Sequence, residues 1–205
     1  ETVILNIGSA DEYGEVDESG LPVNEKAELR PLNPYAVSKV TQDLLAFQYW
    51  KSKKLKSVRA RPFNHFGPRQ SDSFVTAEFA RQIAEIEAGI KKEKALHVGN
   101  LEAAKDFSDV RDVVAAYELL VEKGQYGDVY NICSGRAYRI REIAETLVSL
   151  SGENIEIVQD SSRKRPTATA AIYGDASKIT ALGWAPRYSL DERIKVWLDF
   201  GREKV

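Results

Sequence analysis

Short apolar runs alternate along the chain with longer segments of helical periodicity, and this alternation limits the possible folds more than any other feature. The runs at 3–9, 57–64 and 128–135 have the length and composition of buried strands. Elsewhere apolar residues recur every three or four positions, as they do from Val110 to Val121. Strands that alternate with helices predict an α/β fold with a mainly parallel sheet.

The helices can be placed by their apolar residues and their start signals. One is predicted to begin at Tyr35, after a loop at 10–34 that is rich in Gly, Glu, Asp and Pro. Another is predicted near the end of the chain, where Ser189 and Glu192 fit a capping box. The first of these helices is defined by Val37, Val40, Leu44 and Phe47, and two others by Phe79, Ile83, Ile86 and Ile90 and by Ile140, Ile143, Leu147 and Leu150.

Composition excludes several classes of protein. The formal net charge of −2 provides no electrostatic basis for binding nucleic acid or an anionic membrane surface. No apolar run approaches the length of a membrane span. A single cysteine, Cys133, rules out an internal disulfide framework and favours a reducing compartment, so we expect a cytoplasmic protein. With only His65 and His97 in the chain, we expect no metal site.

The segment NPYAVSKV at 33–40 places a tyrosine and a lysine four residues apart at the start of the predicted helix. Positions i and i+4 share a helix face, so the ammonium of Lys39 can lie beside the phenol of Tyr35 and favour loss of its proton. Such a tyrosine can exchange a proton with a substrate hydroxyl near neutral pH. The spacing alone is weak support, because it is equally compatible with two ordinary residues of a surface helix.

Two polar residues upstream strengthen this interpretation. Ser9 lies at the carboxyl end of the first predicted strand, and Asp11 follows two residues later. The hydroxyl of Ser9 can hydrogen-bond the oxygen that Tyr35 protonates, and the carboxylate of Asp11 can act as a second acid or base. The alternative roles are a turn-capping hydroxyl and a solvated loop charge.

At this point several stretches resemble one family, the extended short-chain dehydrogenase/reductases that act on nucleotide sugars. The resemblance covers essentially the whole chain and is strongest to the GDP-sugar branch, that is, the GDP-6-deoxy-4-keto-mannose reductases and the GDP-mannose 4,6-dehydratases. The stretches that carry it are IGSADEYGEV, LRPLNPYAVSK, RPFNHFGPRQSDSFVT, VGNLEAAKDFSDVRDVVAAY, GDVYNICSG, RPT and GDASKITALGW.

The resemblance implies four catalytic residues. Tyr35 matches the tyrosine that handles the proton on the sugar 4-oxygen while a hydride moves to or from C4. Lys39 matches the lysine that activates this tyrosine and holds the nicotinamide ribose, so both residues are also implied to bind the cofactor. Ser9 matches the hydroxyl partner of the 4-oxygen. Asp11 stands where the dehydratases have a glutamate that removes the C5 proton.

The resemblance also implies residues that bind the ligands. Asn64 and Arg165 match side chains that contact the phosphates of the sugar nucleotide, and His65 matches a position that approaches the cofactor. Lys105 stands where relatives usually have an arginine for the diphosphate, and a lysine lacks the bidentate fork. Ala168 replaces a glutamate that is usual in the GDP-sugar enzymes, so the preference for GDP over other nucleotides is not fixed by the sequence.

The fold implied by the resemblance is the C-terminal part of a Rossmann-type, doubly wound parallel sheet with a small α/β substrate-binding lobe. Residues 1–89 are predicted to form the C-terminal half of the dinucleotide-binding domain. Residues 90–205 are predicted to form mainly the substrate lobe, with some segments that return to the main sheet. Relatives commonly dimerise through the helix that bears the tyrosine, so a homodimer is expected.

Three functions remain open from the sequence. The first is a reductase that converts a GDP-4-keto-6-deoxy-hexose to the 4-hydroxy sugar with NADP or NAD as cofactor. The second is a 4,6-dehydratase or, less well supported, an epimerase on the same scaffold. The third is a non-catalytic fragment that only binds a nucleotide sugar. The sequence contains no methionine and no G-x-x-G-x-x-G turn for the cofactor pyrophosphate, so we expect that an N-terminal portion is missing.

Overall fold

The computed structural model describes residues 2–71, 74–160, 162 and 171–205, and these ranges confirm the predicted α/β fold. The strands are β1 (Ile4–Ile7), β2 (Ser57–Pro62), β3 (Asn64–Phe66), β4 (Ala95–Val98), β5 (Ala104–Asp109), β6 (Val129–Ile132), β7 (Ala137–Arg139), β8 (Glu156–Gln159) and β9 (Ala171–Ile172). The helices are α1 (Pro34–Lys53), α2 (Val75–Glu87), α3 (Val110–Lys123), α4 (Ile140–Ser151), α5 (Ser177–Thr180) and α6 (Leu190–Arg202).

The chain forms two compact units, and neither is continuous in sequence. The first comprises residues 1–65, 106–137 and 171–187, and the second comprises 66–105, 138–170 and 188–205. The predicted division at residue 89 into a dinucleotide-binding part and a substrate lobe remains a prediction. Helix α2 belongs to the second unit, because it packs against α4 and α6.

The first unit is built on a parallel sheet in the order β1-β2-β6. Ile7 pairs with Ala60, and Pro62 pairs with Ile132, so the carboxyl ends of the three strands lie at one edge. One face of this sheet is apolar and packs mainly against α3. The buried residues of this packing are Val58, Ala60, Val113, Ala116, Leu120, Tyr130, Ile132, Ile179 and Trp184.

The opposite face of the sheet is polar and packs against α1. Arg59 and Arg61 alternate with Val58 and Ala60 along β2, so their side chains point to the other side, where Asp43 of α1 meets them. The predicted apolar stripe of α1 faces outwards instead, since Val37 is 50% exposed and Leu44 54% exposed. Helix α1 therefore buries a carboxylate and exposes its apolar side.

The second unit packs α2, α4 and α6 together beside a two-stranded parallel sheet of β4 and β8. The ring of Phe66 stacks on Trp197, with centroids 4.9 Å apart. The capping box at the start of α6 is confirmed, because Ser189 Oγ accepts a hydrogen bond from the Glu192 backbone N–H and the Ser189 N–H donates to the Glu192 carboxylate. A further small sheet has the order β3-β5-β7, with β9 beside β5.

Among the helices within the described ranges, none is both long enough and apolar enough to cross a membrane. The same ranges contain no group of three or more His, Cys, Asp and Glu side chains that could hold a metal ion.

Candidate active site at the end of strand β1

Tyr35 and Lys39 lie in the first two turns of α1. The helix begins where Asn33 caps it, since the Asn33 side chain accepts a hydrogen bond of 2.8 Å from the Ala36 N–H and Pro34 occupies the first turn. The Tyr35 side chain is 53% exposed, and the Lys39 Nζ lies 5.7 Å from the centroid of its ring. The pair is thus on one face of α1, as its spacing predicted.

Lys39 connects α1 to the end of β1. Its ammonium donates a hydrogen bond of 3.0 Å to the backbone carbonyl of Ile7, the last residue of that strand. The Gln42 side chain donates to the same carbonyl and, at 2.8 Å, to the Asn6 side chain. An ammonium has three N–H donors, so Lys39 keeps donors for a further ligand beside Tyr35.

Ser9 caps the tight 3₁₀ turn at Ala10–Tyr13 that follows β1. Its Oγ accepts a hydrogen bond of 3.2 Å from the Asp11 N–H, while its own N–H donates at 2.8 Å to the Glu12 carboxylate. A Cβ at the preceding Gly8 would lie 2.2 Å from Glu12 Oε1 and would displace the carboxylate that accepts the Ser9 N–H. Ser9 is thus a capping residue, and its hydroxyl hydrogen remains for a substrate oxygen.

Asp11 and Glu12 are adjacent but differ in environment. Asp11 is exposed, whereas the Glu12 side chain is fully buried and pairs with Arg61 at 3.0 Å. Burial raises the pKa of Glu12, and the hydrogen bond from Ser9 and the charge of Arg61 oppose this rise. The exposed carboxylate of Asp11 is the one that a substrate can reach.

Glu12 belongs to a buried network of charged and polar side chains. Arg61 Nε contacts the carboxylates of both Glu12, at 3.0 Å, and Asp43, at 3.1 Å. Arg59 pairs with the other oxygen of Asp43 at 2.5 Å and donates to the Gly127 carbonyl. Two arginines and two carboxylates therefore neutralise one another below the Ser9 turn.

Tyr13 extends this network towards β6. Its hydroxyl donates to the Asn131 side chain at 2.7 Å and accepts from Arg61 at 3.2 Å. Burial raises the pKa of Tyr13 to about 12, although Arg61 acts in the opposite direction. Burial, together with the charge of nearby Tyr35, also raises the pKa of Tyr117 on α3 to about 12. Both phenols therefore hold their protons more tightly than an ordinary tyrosine, whereas a catalytic tyrosine needs a lowered pKa.

The remaining predicted site residues are distributed over the chain. Asn64 and His65 are half-buried in β3. The Nδ1 atom of His65 lies 3.0 Å from the Phe63 carbonyl oxygen, which can only accept a hydrogen bond. Lys105 is half-buried in β5 and belongs to the second unit. Arg165 and Ala168 lie outside the residues that the structure describes. Their predicted roles in phosphate and nucleoside binding remain predictions.

The structure also shows residues that were not predicted to belong to the site. Glu12, Asp43 and Arg61 support the Ser9 turn and α1 from below, and none was selected from the sequence. A signal was present in the strand SVRARP, where two arginines at alternate positions indicate that one face of a buried strand is polar. Their carboxylate partners could not be assigned without the fold.

The chain is similar to known proteins along almost its whole length. The family model described as GDP-mannose 4,6 dehydratase matches residues 1–196. Over 202 residues, 98% of the chain, the sequence is 39% identical to GDP-6-deoxy-D-mannose reductase from Pseudomonas aeruginosa. It is 28% identical over 197 residues, 94% of the chain, to GDP-mannose 4,6 dehydratase 1 from Arabidopsis thaliana.

A solved structure, that of RMD from Pseudomonas aeruginosa complexed with NADPH, superimposes on 98% of the chain with a TM-score of 0.93 and 39% identity. The chain spans 67% of the length of that protein chain. It spans 66% of the curated reductase and 52% of the plant dehydratase.

Proposed function

The chain belongs to the GDP-mannose 4,6-dehydratase family, and we propose that it reduces the 4-keto group of a GDP-4-keto-6-deoxy-hexose, on its own or within a longer polypeptide. The observation that carries this proposal is the arrangement of Tyr35, Lys39 and Ser9 around the end of β1. The 39% identity to a reductase over almost the whole chain favours reduction over the other activities of the family.

The roles of the residues follow from their chemistry. Tyr35 donates a proton to the oxygen that becomes negative when the carbonyl is reduced, and the Ser9 hydroxyl donates a hydrogen bond to the same oxygen. Lys39 places a positive charge beside the Tyr35 ring and stabilises the phenolate that is left. A reduced nicotinamide, when bound, supplies the hydride.

Lys39 and Tyr35 are the residues of this chain that fit the nicotinamide ribose, since the Lys39 ammonium has donors beyond the one used by Ile7. We propose NADP or NAD as the cofactor, and NADPH is present in the similar structure from Pseudomonas aeruginosa. Asn64, Lys105 and Arg165 are proposed to bind the phosphates of the sugar nucleotide, and His65 to lie near the cofactor.

A second candidate function is a 4,6-dehydratase. The observation that favours it is Asp11, whose exposed carboxylate follows Ser9 on the same turn and has the chemistry to remove a C5 proton. The two activities differ in their cofactor balance. A reductase consumes one reduced nicotinamide per product, whereas a dehydratase returns the hydride and consumes none.

We further propose that the protein is cytoplasmic and forms a homodimer through the outer face of α1. The buried free thiol of Cys133 is compatible with a reducing compartment. The outer face of α1 has half-exposed apolar side chains at Val37, Leu44 and Leu45, which a second copy of the helix would cover.

The first test replaces Tyr35 by phenylalanine. With GDP-4-keto-6-deoxy-mannose and NADPH, we expect kcat, measured by oxidation of the nicotinamide, to fall by about 10²- to 10⁴-fold, because the proton donor is lost. The matched control is Tyr49→Phe, which removes the hydroxyl of another half-exposed tyrosine on the same helix and leaves kcat unchanged.

Three outcomes would contradict the proposal in different ways. Full activity of Tyr35→Phe would exclude Tyr35 as the acid. Conversion of GDP-mannose to its 4-keto-6-deoxy product without net oxidation of NADPH would identify a dehydratase. Saturable binding of the nucleotide sugar without any turnover, in a protein that also shows no binding of titrated NADPH, would identify a non-catalytic binding protein.

A further inference from the structure

We propose that Arg61 is a positioning residue that holds the Ser9 turn and the Tyr35 helix in one fixed geometry. This inference rests on the proposed function, because Ser9 and Tyr35 are the groups whose separation matters for the transfer of a proton. Arg61 itself is buried, with 4% of its side chain exposed, and acts through its partners.

Arg61 is the one side chain on β2 that contacts both supporting carboxylates within the described residues. Its Nε–H is shared between Glu12 Oε2, at 3.0 Å, and Asp43 Oδ2, at 3.1 Å. Its Nη1 also donates to the Tyr13 hydroxyl, at the end of the same 3₁₀ turn. The guanidinium therefore joins β2 to two other segments of the first unit, the 3₁₀ turn and α1.

Each carboxylate carries this link to a catalytic segment. Glu12 uses its other oxygen to accept the backbone N–H of Ser9, so the position of the Ser9 backbone depends on the Glu12 carboxylate. Asp43 is part of α1, about two turns or 12 Å along the helix axis from Tyr35. A helix is stiff over that distance, so a displacement of Asp43 also displaces Tyr35.

The burial of the network indicates that its geometry is narrowly fixed. The side chains of Glu12 and Asp43 are both 0% exposed, so water cannot replace a lost partner. Burying charges in this way is costly, and apolar residues of similar size often stabilise a protein equally well. In catalysis a displacement of about 1 Å between reacting groups lowers the rate strongly. Charged hydrogen bonds are directional, so they fix the positions of these groups more closely than apolar packing does.

The proposal can be tested without activity by amide hydrogen exchange. Asp43→Asn does not remove any group that contacts Ser9, yet we expect it to raise the exchange rate of the Ser9 amide by about tenfold, because Arg61 transmits the change to Glu12. In an Arg61→Lys background, the same substitution should add less than about twofold. The amide of Tyr130 in β6 reports global opening, and the tenfold increase at Ser9 is counted relative to any change at Tyr130.

Glu12→Gln provides the reciprocal test with an isosteric side chain. It keeps an oxygen for the Ser9 N–H but loses the charge that binds Arg61, and we expect faster exchange at the first turns of α1, from Tyr35 to Lys39. As a control, Arg202→Lys removes the bidentate geometry of the ion pair with Glu87 in the second unit and should leave both sets of amides unchanged. Independent responses of Ser9 and α1 would overturn the proposal.

Kinetics then separate positioning from stability. We expect Arg61→Lys to lower kcat by about 10- to 100-fold with less than about a twofold change in KM for the sugar nucleotide, because lysine keeps the charge but not the planar fork. Arg59→Lys is the matched control. Arg59 lies on the same strand and pairs with the same Asp43, but it does not contact Glu12, so its replacement disturbs only one of the two segments and kcat should fall clearly less than in Arg61→Lys.

Equal losses of kcat in the two lysine variants, or no loss in Arg61→Lys, would show that Arg61 only stabilises the fold. If the parent protein has no reductase activity, the proposed function fails, and the exchange measurements still decide whether Arg61 couples the two segments. If both exchange tests show coupling but kcat is unaffected, the geometric link exists without the catalytic role, and the proposal is overturned.

Discussion

Tyr13 shows how a single buried side chain can make the stability of this protein dependent on pH. Its hydroxyl lies between Arg61 and Asn131, and burial raises its pKa from 10.0 to about 12. The folded protein therefore retains this proton at pH values where the unfolded chain has lost it. The part of the free energy of unfolding that results from this difference in pKa is fully present below pH 10 and is lost as the pH rises through 12.

Tyr13→Phe should remove this part of the alkaline destabilisation. Between about pH 9 and pH 12 we expect the free energy of unfolding of the parent to fall by up to about 3 kcal/mol more than that of the variant, because a difference of one pKa unit corresponds to about 1.4 kcal/mol. Urea denaturation across this range measures both curves. Parallel curves would show that the Tyr13 phenol does not retain its proton in the folded state.

The predictability of the site differs from residue to residue. The positions of Tyr35 and Lys39 on one helix face, and of Ser9 after the first strand, could be predicted from local patterns, whereas their catalytic roles remain predictions. Glu12 could not be distinguished from Asp11 in the sequence, since two adjacent acids in a polar turn are alike before packing. Their separation into one buried and one exposed carboxylate depends on Arg61, which is far away in the chain.

At the level of elements, the order of strands and helices follows from periodicity, but the orientation of α1 does not. An apolar stripe on a helix normally faces the core. In this chain the sheet face beneath α1 contains Arg59 and Arg61, so the helix buries Asp43 and turns Val37 and Leu44 outwards. The sequence of α1 is therefore understandable only together with the sequence of β2.

Leu44→Lys tests whether the outer face of α1 is an interface. Because Leu44 is 54% exposed, we expect the monomer to remain folded, with a change of less than about 0.5 kcal/mol in its free energy of unfolding. Sedimentation should show at least about a tenfold weaker dimer, since a charge would be buried at the contact. Val114→Lys on α3, at a position that is 56% exposed, is the matched control. Unchanged association, or equal weakening in both variants, would place the interface elsewhere.

At the level of the whole molecule, the first unit combines three distant stretches of the chain. Val23 exchanges backbone hydrogen bonds with Tyr173 and Asp175, and Gly174 packs where a Cβ would lie 2.6 Å from the ring of Phe63. Such contacts have no signature in local periodicity. The strands and helices could be predicted one by one, whereas the division into units depends on which distant segments meet.

Asp106 joins two of these stretches and provides the corresponding test. Its buried carboxylate accepts the backbone N–H groups of Ser134, at 2.7 Å, Gly135, at 3.0 Å, and Gly174, at 3.3 Å. In Asp106→Asn one of the two oxygens becomes an NH₂ group, which cannot accept, so at least one of these backbone N–H groups loses its partner. We expect a loss of about 2 to 3 kcal/mol in the free energy of unfolding, measured with urea at neutral pH.

The control is Asp17→Asn, at an exposed position without a side-chain capping bond, which should change the free energy of unfolding by less than about 0.5 kcal/mol. A neutral effect of Asp106→Asn would mean that the two stretches are held together by packing around Gly174 rather than by this carboxylate.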